Sequence, residues 1–534
     1  MTLTLLWLLP LVGAVVTAFT TPVLRAKQVA LAFAVLTLVQ GVVAAFRFDT
    51  GADGFQLTET HEWISAFGAH YALGLDGLGL LMVLLTVVLV PIVLVAAWHD
   101  TTKPSFFAWA LALEAFSLVV FAATDVFLFY VVFEATLIPA YFLIGGFGGP
   151  RRSFAALKFL MYQLGGGLVL LAGVIALYVV SARAGEPSYL LTDLQQLDIG
   201  TTVERWIFVA FIVAFAVKAP LFPLHTWLAD TTENATPPTS VLLVCILDKI
   251  GTFGMLRFCL GLFPEASEWA TPVVVALAVV SIVYGAFLAI GQDDLLRLIG
   301  LTSLSHFGFI TLGIFALSSQ GGAGAILYMV NHGVATAALF LAAGFLIKRK
   351  GTASIGAMRS MERSTPVLAG LFLVAGLATA GLPGLSQFVS EILVLISAFD
   401  YHWVVGAVSV TGIVLAAVYV LWAYQRIFTG EGSAGPAGRV ASVGDGSAGR
   451  VSSASDGSAG RVASASERIE TPPARDLDRR EVGVLAPLTL ALVLFGFVPG
   501  PLLELANPTV STVFEHAGFT DDEPTVPIAE GSAH

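Results

Sequence analysis

Apolar residues along this chain come in long blocks, not in short alternation. Fourteen such blocks can be cut from it, centred near Leu11, Thr37, Leu85, Phe116, Leu137, Ala172, Val213, Leu247, Val280, Ile310, Leu339, Ala378, Leu415 and Leu492. Each supplies the ~20 mostly apolar residues that carry a helix across a bilayer. The polar residues between blocks have a sign as well as a position. With loops alternating between the two faces and the N-terminus outside, eleven basic residues fall in inner loops from Arg25 to Arg363, and eight more in the loop from Arg426 to Arg480. Only Arg47, Arg183 and Arg205 fall outside, and Lys158, Lys218, Lys249 and Arg257 lie within the blocks. Positive charge is retained on the inner side of a membrane. The bias therefore predicts about fourteen spans with both termini on the outer side.

Composition excludes most other classes. Of 534 residues 57% are hydrophobic and 12% charged, with mean hydropathy +0.87. A soluble domain carries about 25% charged residues and needs a polar skin, so a soluble enzyme, a disordered scaffold and a nucleic-acid binder are ruled out. The net charge of −11 comes largely from outer loops (Asp49, Asp53, Glu59, Glu62) and the tail Asp521-Asp522-Glu523. Two cysteines, Cys245 and Cys259, share one apolar block. That excludes a disulfide framework, c-type haem attachment and iron–sulfur ligation. The first block has no basic flank ahead of it and reads as a retained helix, not a cleaved signal. Between the last two blocks an eleven-residue unit recurs as GPAGRVASVGD, GSAGRVSSASD and GSAGRVASASE over 435–467. Such sequence cannot bury a core and predicts a disordered insertion.

Several spans carry charges where charges are costly. A Lys, Arg or Asp at a helix centre costs about 2.5–3.5 kcal/mol on insertion scales. Yet Glu114, Glu134, Lys158, Lys218, Asp248, Lys249, His306, His332 and Glu391 are spread over eight of the spans. Salt bridges fastening the bundle are the plainer reading. Buried ion pairs often stabilise no better than apolar packing, so a whole row points instead to a pathway for protons or ions. Two spans are also interrupted. Pro220 and Pro223 follow Lys218 in the seventh, and Gly381-Leu382-Pro383-Gly384 precedes Glu391 in the twelfth. Proline removes a backbone donor and clashes with the preceding turn, and freed backbone is tolerated at membrane depth only where protein or water satisfies it. The two breaks lie five spans apart. An odd offset reverses direction, as a pair of inverted five-helix repeats would require, and transporters place ion sites at such breaks. The expected fold is an all-α polytopic membrane protein. Its divisions are 1–104 (spans 1–3), 105–262 (first repeat, spans 4–8), 263–428 (second repeat, spans 9–13), 429–481 (insertion) and 482–534 (span 14 and acidic tail).

Long motifs then become recognisable. FLFYVVFEATLIPAYFLIGGFGG around Glu134, FAVKAPLFPLHTWLADTTENATPPTSVLL after Lys218, DDLLRLIGLTSLSHFGFITLGIF around His306 and NHGVATAALFLAAG around His332 resemble the antiporter-like membrane subunits of respiratory complex I and of multi-subunit cation/proton antiporters. The resemblance covers spans 3 to 13. Within that family the chain is most similar to the M-type (chain 4) branch of NADH:quinone oxidoreductase, because an acid, Glu391, stands where other branches usually have lysine. The resemblance implies proton translocation coupled to quinone reduction elsewhere in the complex. By motif, Glu134 and Lys218 match the Glu–Lys pair of a first half-channel, Lys249 a central lysine and Glu391 the terminal group of a second. His306 and His332 match polar links and Lys158 a lysine that modulates the pair, while Asp248 offsets the charge of Lys249. Where many relatives have a lysine, position 296 is leucine. The resemblance further implies no cofactor on this chain. Flavin, iron–sulfur clusters and quinone would belong to partners, namely other membrane subunits and peripheral redox subunits, in a cell membrane. The alternatives are a subunit of a cation/proton antiporter and a membrane subunit of a hydrogenase or formate-oxidising complex.

Overall fold

In hydrocarbon every backbone N–H and C=O must find a partner inside its own segment, so a chain this apolar folds into helices. The computed structural model describes residues 2–185, 187–429, 475–519 and 521. Among them twelve helices are long and apolar enough to cross a membrane. The chain runs through α1 (Thr2–Phe19), α2 (Val23–Arg47), a hairpin of β1 (Gln56–Ile64) and β2 (Ala69–Leu75), α3 (Gly77–Ala96), α4 (Pro104–Ala122), α5 (Val126–Ala135) and α6 (Leu137–Phe147). It continues with α7 (Arg152–Ala184), α8 (Thr201–Lys218), α9 (Thr226–Asn234), α10 (Pro237–Leu260), α11 (Pro264–Ile290), α12 (Leu295–Phe315) and α13 (Ser319–Lys350). The last elements are α14 (Pro366–Thr379), α15 (Ser386–Tyr401), α16 (Trp403–Phe428), α17 (Arg479–Phe497) and α18 (Gly500–Ala517).

Two predicted spans are not among the twelve. The seventh corresponds to α8, whose 18 residues include Glu204, Arg205 and Lys218. The twelfth is divided between the short helices α14 and α15. α5 and α6 join at Thr136 into one span, Val126–Phe147. The insertion predicted at 429–481 lies outside the described residues except at its ends. From its far end Asp476 caps α14, accepting from the Val367 and Leu368 amides at 2.8 and 3.2 Å. Asp478 and Glu481 form a capping box that starts α17 at Arg479.

Two elements were not expected. The β1–β2 hairpin pairs antiparallel, with Thr60 opposite Ala72 and Glu62 opposite His70. It turns through Gly68 at φ +64°, where a side chain would run into the Pro187 carbonyl. Its alternation is carried by Thr, His and Glu, so at the scale of a span it reads as polar loop. The other, α18, buries Ala506, Thr509, Val510, Val513 and Phe514, a helical spacing that lays one face on the bundle.

Helices α10 and α12 are buried along a full span length, and α13 nearly so. They form the centre, while α1, α2, α11, α16 and α17 turn large apolar side chains such as Phe19, Phe46, Phe287, Val414 and Leu490 outward. A chain of ion pairs closes one end of the bundle, the basic end. Arg151 pairs with Glu233 at 2.5 Å, Glu233 with Arg297 at 2.7 Å, Arg297 with Asp230 at 2.8 Å, and Asp230 with Lys158 at 2.6 Å.

Candidate functional site

The first cluster forms where α5 gives way to α6. Glu134, on the last turn of α5, is half-buried, and its Oε1 is buried with no hydrogen-bond partner among the described residues. Gly167 of α7 lies directly against this carboxylate, in space that a Cβ would fill. Lys218 is fully buried at the end of α8. Its Nζ donates to Thr136 Oγ1 at 3.3 Å and lies 4.6 Å from the Phe133 ring centroid. The lysine thus docks on the α5–α6 junction, two residues along from Glu134. Among the described residues no ion pair within 4.0 Å joins the two charges.

α8 stops at Lys218 because two prolines follow within five residues, and helix resumes only at Thr226. Backbone freed in 219–225 finds other partners. Trp227 Nε1 donates to the Val217 carbonyl at 3.1 Å, and the Phe222 amide to Ser281 Oγ at 2.9 Å. Gly251 of α10 fits against this break, where a Cβ would meet Ala219 and the Phe215 carbonyl.

α10 carries the centre of the row. It contains two π-helical segments, Val241–Leu247 and Met255–Leu260, a distortion frequent at functional sites. Between them stand Asp248 and Lys249, both fully buried. Lys249 Nζ lies 2.6 Å from His332 Nδ1 and 3.3 Å from the Val244 carbonyl, with the Phe307 ring centroid at 4.5 Å. Neither carboxylate oxygen of Asp248 has a hydrogen-bond partner among the described residues.

The row continues across α12 and α13 to α15. The His332 and His306 rings are 5.1 Å apart. His306 Nδ1 lies 2.9 Å from the Tyr328 hydroxyl and 2.9 Å from Gln387 Nε2. Glu391 Oε1 accepts from Tyr328 Oη at 2.9 Å and from Gln387 Nε2 at 3.2 Å. The break before α15 spans 380–385, with Gly381 at φ +70° and Gly384 at φ +91°, conformations that glycine adopts without strain. Asn331 Nδ2 holds its far side through the Ser386 carbonyl at 2.7 Å.

The fold therefore gathers Lys218, Asp248, Lys249, His332, His306 and Glu391 into one buried band, with Glu134 at its first end and the breaks at Pro220, Pro223 and Pro383 beside its two ends. Lys158 is engaged elsewhere. Its Nζ binds Asp230 at 2.6 Å and the Thr226 carbonyl at 2.9 Å, in the ion-pair chain at the basic end. Arg257 pairs with Asp76 through two bonds of 2.7 and 2.5 Å, which fastens α10 to the start of α3. Glu114 is buried on α4, with neither carboxylate oxygen hydrogen-bonded among the described residues. Thr136, Tyr328, Gln387 and Tyr419 were missed in the sequence because neutral side chains raise no alarm in an apolar span. Two had a signal: Tyr328 and Gln387 each stand four residues before a charged member of the row, hence on the same helix face.

Comparison with known proteins gives a consistent result. The profile of the family described as NADH:quinone oxidoreductase/Mrp antiporter, TM, matches residues 123–416. NADH-quinone oxidoreductase subunit M of Mycobacterium tuberculosis is 43% identical, covering 98% of this chain and 96% of its own. Subunit M of Rhodobacter capsulatus is 34% identical over 92% of this chain and 91% of its own. Among solved structures, a chain of respiratory complex I from Thermus thermophilus with bound NADH superposes with TM-score 0.83 at 31% identity, covering 97% of this chain and 100% of its own. A chain of the Mrp complex from Dietzia sp. shares the fold, with TM-score 0.81 at 22% identity over 96% and 97%.

Proposed function

Since the chain belongs to the NADH:quinone oxidoreductase/Mrp antiporter family of membrane subunits, we propose that it is the proton-translocating M-type subunit of a NADH:quinone oxidoreductase. It sits in a multi-pass membrane arrangement with further antiporter-like subunits and with peripheral subunits that carry the redox chemistry. Quinone, flavin and iron–sulfur clusters belong to those partners, and this chain contributes proton movement. The membrane is the cell membrane, with both termini outside. The observation that carries the reading is the buried band from Lys218 through Lys249, His332 and His306 to Glu391.

Linkage between neighbouring charges does the work. Burial disfavours the charged form of a lysine, and a nearby carboxylate restores it. A unit charge at 4 Å contributes about 4 kcal/mol at an effective dielectric constant of 20, enough to move a proton equilibrium by roughly three powers of ten. Glu134 is poised beside the Thr136 junction without a direct bond to Lys218, so a small motion changes their separation. When Glu134 comes near, Lys218 holds its proton; when Glu134 withdraws, Lys218 releases it. Asp248 adjoins Lys249 on a helix whose Gly251 packs against Ala219, next to Lys218, and ties the charge of one lysine to that of the other. The proton passes by Lys249 and the two histidines to Glu391, so Lys218 and Glu391 are alternating stores. Residues 105–262 and 263–428 then serve as two half-channels, each with its broken helix.

The test is Lys218→Ala in the intact complex. Proton pumping is expected to be lost while the subunits still assemble. Full pumping in that variant would overturn the assignment.

A further inference from the structure

The step between His306 and Glu391 runs through a hydroxyl. Tyr328 Oη stands 2.9 Å from His306 Nδ1 and 2.9 Å from Glu391 Oε1. Its ring is fully buried and stacks on Phe309, with centroids 6.0 Å apart and planes 13° apart. His306 is held on its other nitrogen too, with Tyr419 Oη 3.4 Å from Nε2. Gln387 Nε2 reaches the Thr379 carbonyl at 3.3 Å and Glu391 Oε1 at 3.2 Å. One hydroxyl, with one proton to give, thus faces two acceptors, the imidazole Nδ1 and the carboxylate Oε1. The other carboxylate oxygen, Oε2, is buried and without a hydrogen-bond partner among the described residues. It lies against Gly381, at φ +70° in the break between α14 and α15, in space that a Cβ would occupy.

We propose that Tyr328 relays the proton from His306 to Glu391, and that the two oxygen positions of its carboxyl have separate tasks, the one now held by Oε1 receiving from the tyrosine and the one now held by Oε2 delivering to the break at Gly381. This rests on the reading of Glu391 as the terminal store. In the relay the Nδ1–H bond of a protonated His306 breaks and its proton joins Tyr328 Oη. At the same time the Oη–H bond breaks and that proton joins Oε1. Histidine ends neutral, tyrosine is unchanged, glutamate becomes the acid, and no electrons are exchanged. A half-turn of the carboxyl about Cγ–Cδ brings its proton to the Gly381 side, where there is no side chain in the way. The hydroxyl proton then points at Nδ1 and the acid proton at Oη, so the transfer runs back as readily as forward until the carboxyl turns its proton to the Gly381 side. That turn and the delivery beyond it commit the step.

Tyr328→Phe keeps the ring and its stack and removes only the hydroxyl. It is tested in the purified whole complex in lipid vesicles, with the rate of proton translocation measured in light and heavy water beside Glu391→Ala. The expected result is a fall of about a hundredfold, the lower end of what a positioned proton-transfer group contributes, with an increased solvent isotope effect. In infrared difference spectra the acid carbonyl band that Glu391→Gln abolishes should move when the tyrosine hydroxyl is gone, a change that a purely packing role would not cause. Wild-type pumping in Tyr328→Phe with Glu391→Ala inactive overturns the relay alone. Wild-type pumping in both overturns Glu391 as the store. If Tyr328→Phe fails to assemble, Gly381→Ala provides the second test. Because alanine at φ +70° also strains the backbone, slowed pumping is expected together with a shift of the Glu391 acid carbonyl band, and an unchanged rate or an unmoved band would remove the task assigned to the Oε2 position.

Discussion

Two kinds of buried charge coexist in this protein, and their partners distinguish them. Arg257 and Asp76 are paired through two short bonds and join α10 to α3, with only the Arg257 Nε left without a partner among the described residues. Asp248 and Glu134 keep buried carboxylate oxygens with no hydrogen-bond partner among the described residues, an arrangement that costs free energy and that a purely structural role would not retain. Glycine is what leaves Glu134 room. A Cβ at Gly167 would occupy the place of its carboxylate, whereas one at Gly165 would meet nothing within 4 Å. Gly167→Ala is therefore expected to displace Glu134 and reduce coupled proton translocation severalfold, while Gly165→Ala leaves it at the wild-type rate. Vesicle acidification with each variant complex measures the difference. Equal rates in both would mean that the position of Glu134 does not govern Lys218.

At the scale of elements, the working parts are the places where helices fail. α8 ends at Lys218, α15 begins five residues before Glu391, and α10 is π-helical on both sides of Asp248 and Lys249. The two breaks are held by side chains of neighbouring helices, Trp227 and Ser281 at the first and Asn331 at the second. The connections at the basic end are tied by charge instead. Asp293, between α11 and α12, accepts from Ser354 Oγ at 2.6 Å and from the Gly356 amide at 2.9 Å, with Arg426 3.4 Å away. The Ser354 hydrogen bond, then that of Gly356 and the charge of Arg426, hold its carboxyl below the ordinary aspartate range. A carboxyl lowered by folding stabilises the folded loop above the ordinary aspartate value, and that contribution is lost as pH falls through the lowered one. The protection factors of the amides at 354–357, taken against the intrinsic exchange rate at each pH, should fall on acidification through that window in the wild type, and should be low and independent of pH there in Asp293→Asn. Identical pH profiles would show that the carboxyl does not tie the loop.

For the whole molecule, the buried band and the redox chemistry of partner subunits belong to one assembly. Purification of the tagged chain from native membranes in mild detergent is expected to bring iron–sulfur subunits and inhibitor-sensitive quinone reductase activity with it. A complex of membrane subunits without redox centres would instead make the chain part of a cation/proton antiporter. Much of this was legible in the sequence. The spans follow from the length of the apolar blocks, because a continuous apolar block that long satisfies its own backbone in hydrocarbon as a helix, whereas a membrane barrel needs short alternating strands. The charged row is visible because an ionisable residue in such a block is costly enough to stand out. Prolines and glycines announce the broken helices by covalent geometry alone. Tertiary structure decided what depends on distance. It placed Lys218 on Thr136 and not on Glu134, turned Lys158 to Asp230, and folded the loop after α2 into a hairpin. It also set Tyr328 between His306 and Glu391. These outcomes depend on which helices pack together and on how their faces are rotated, and a hydrogen bond is won or lost within half an ångström, a precision that residue spacing along one chain does not contain.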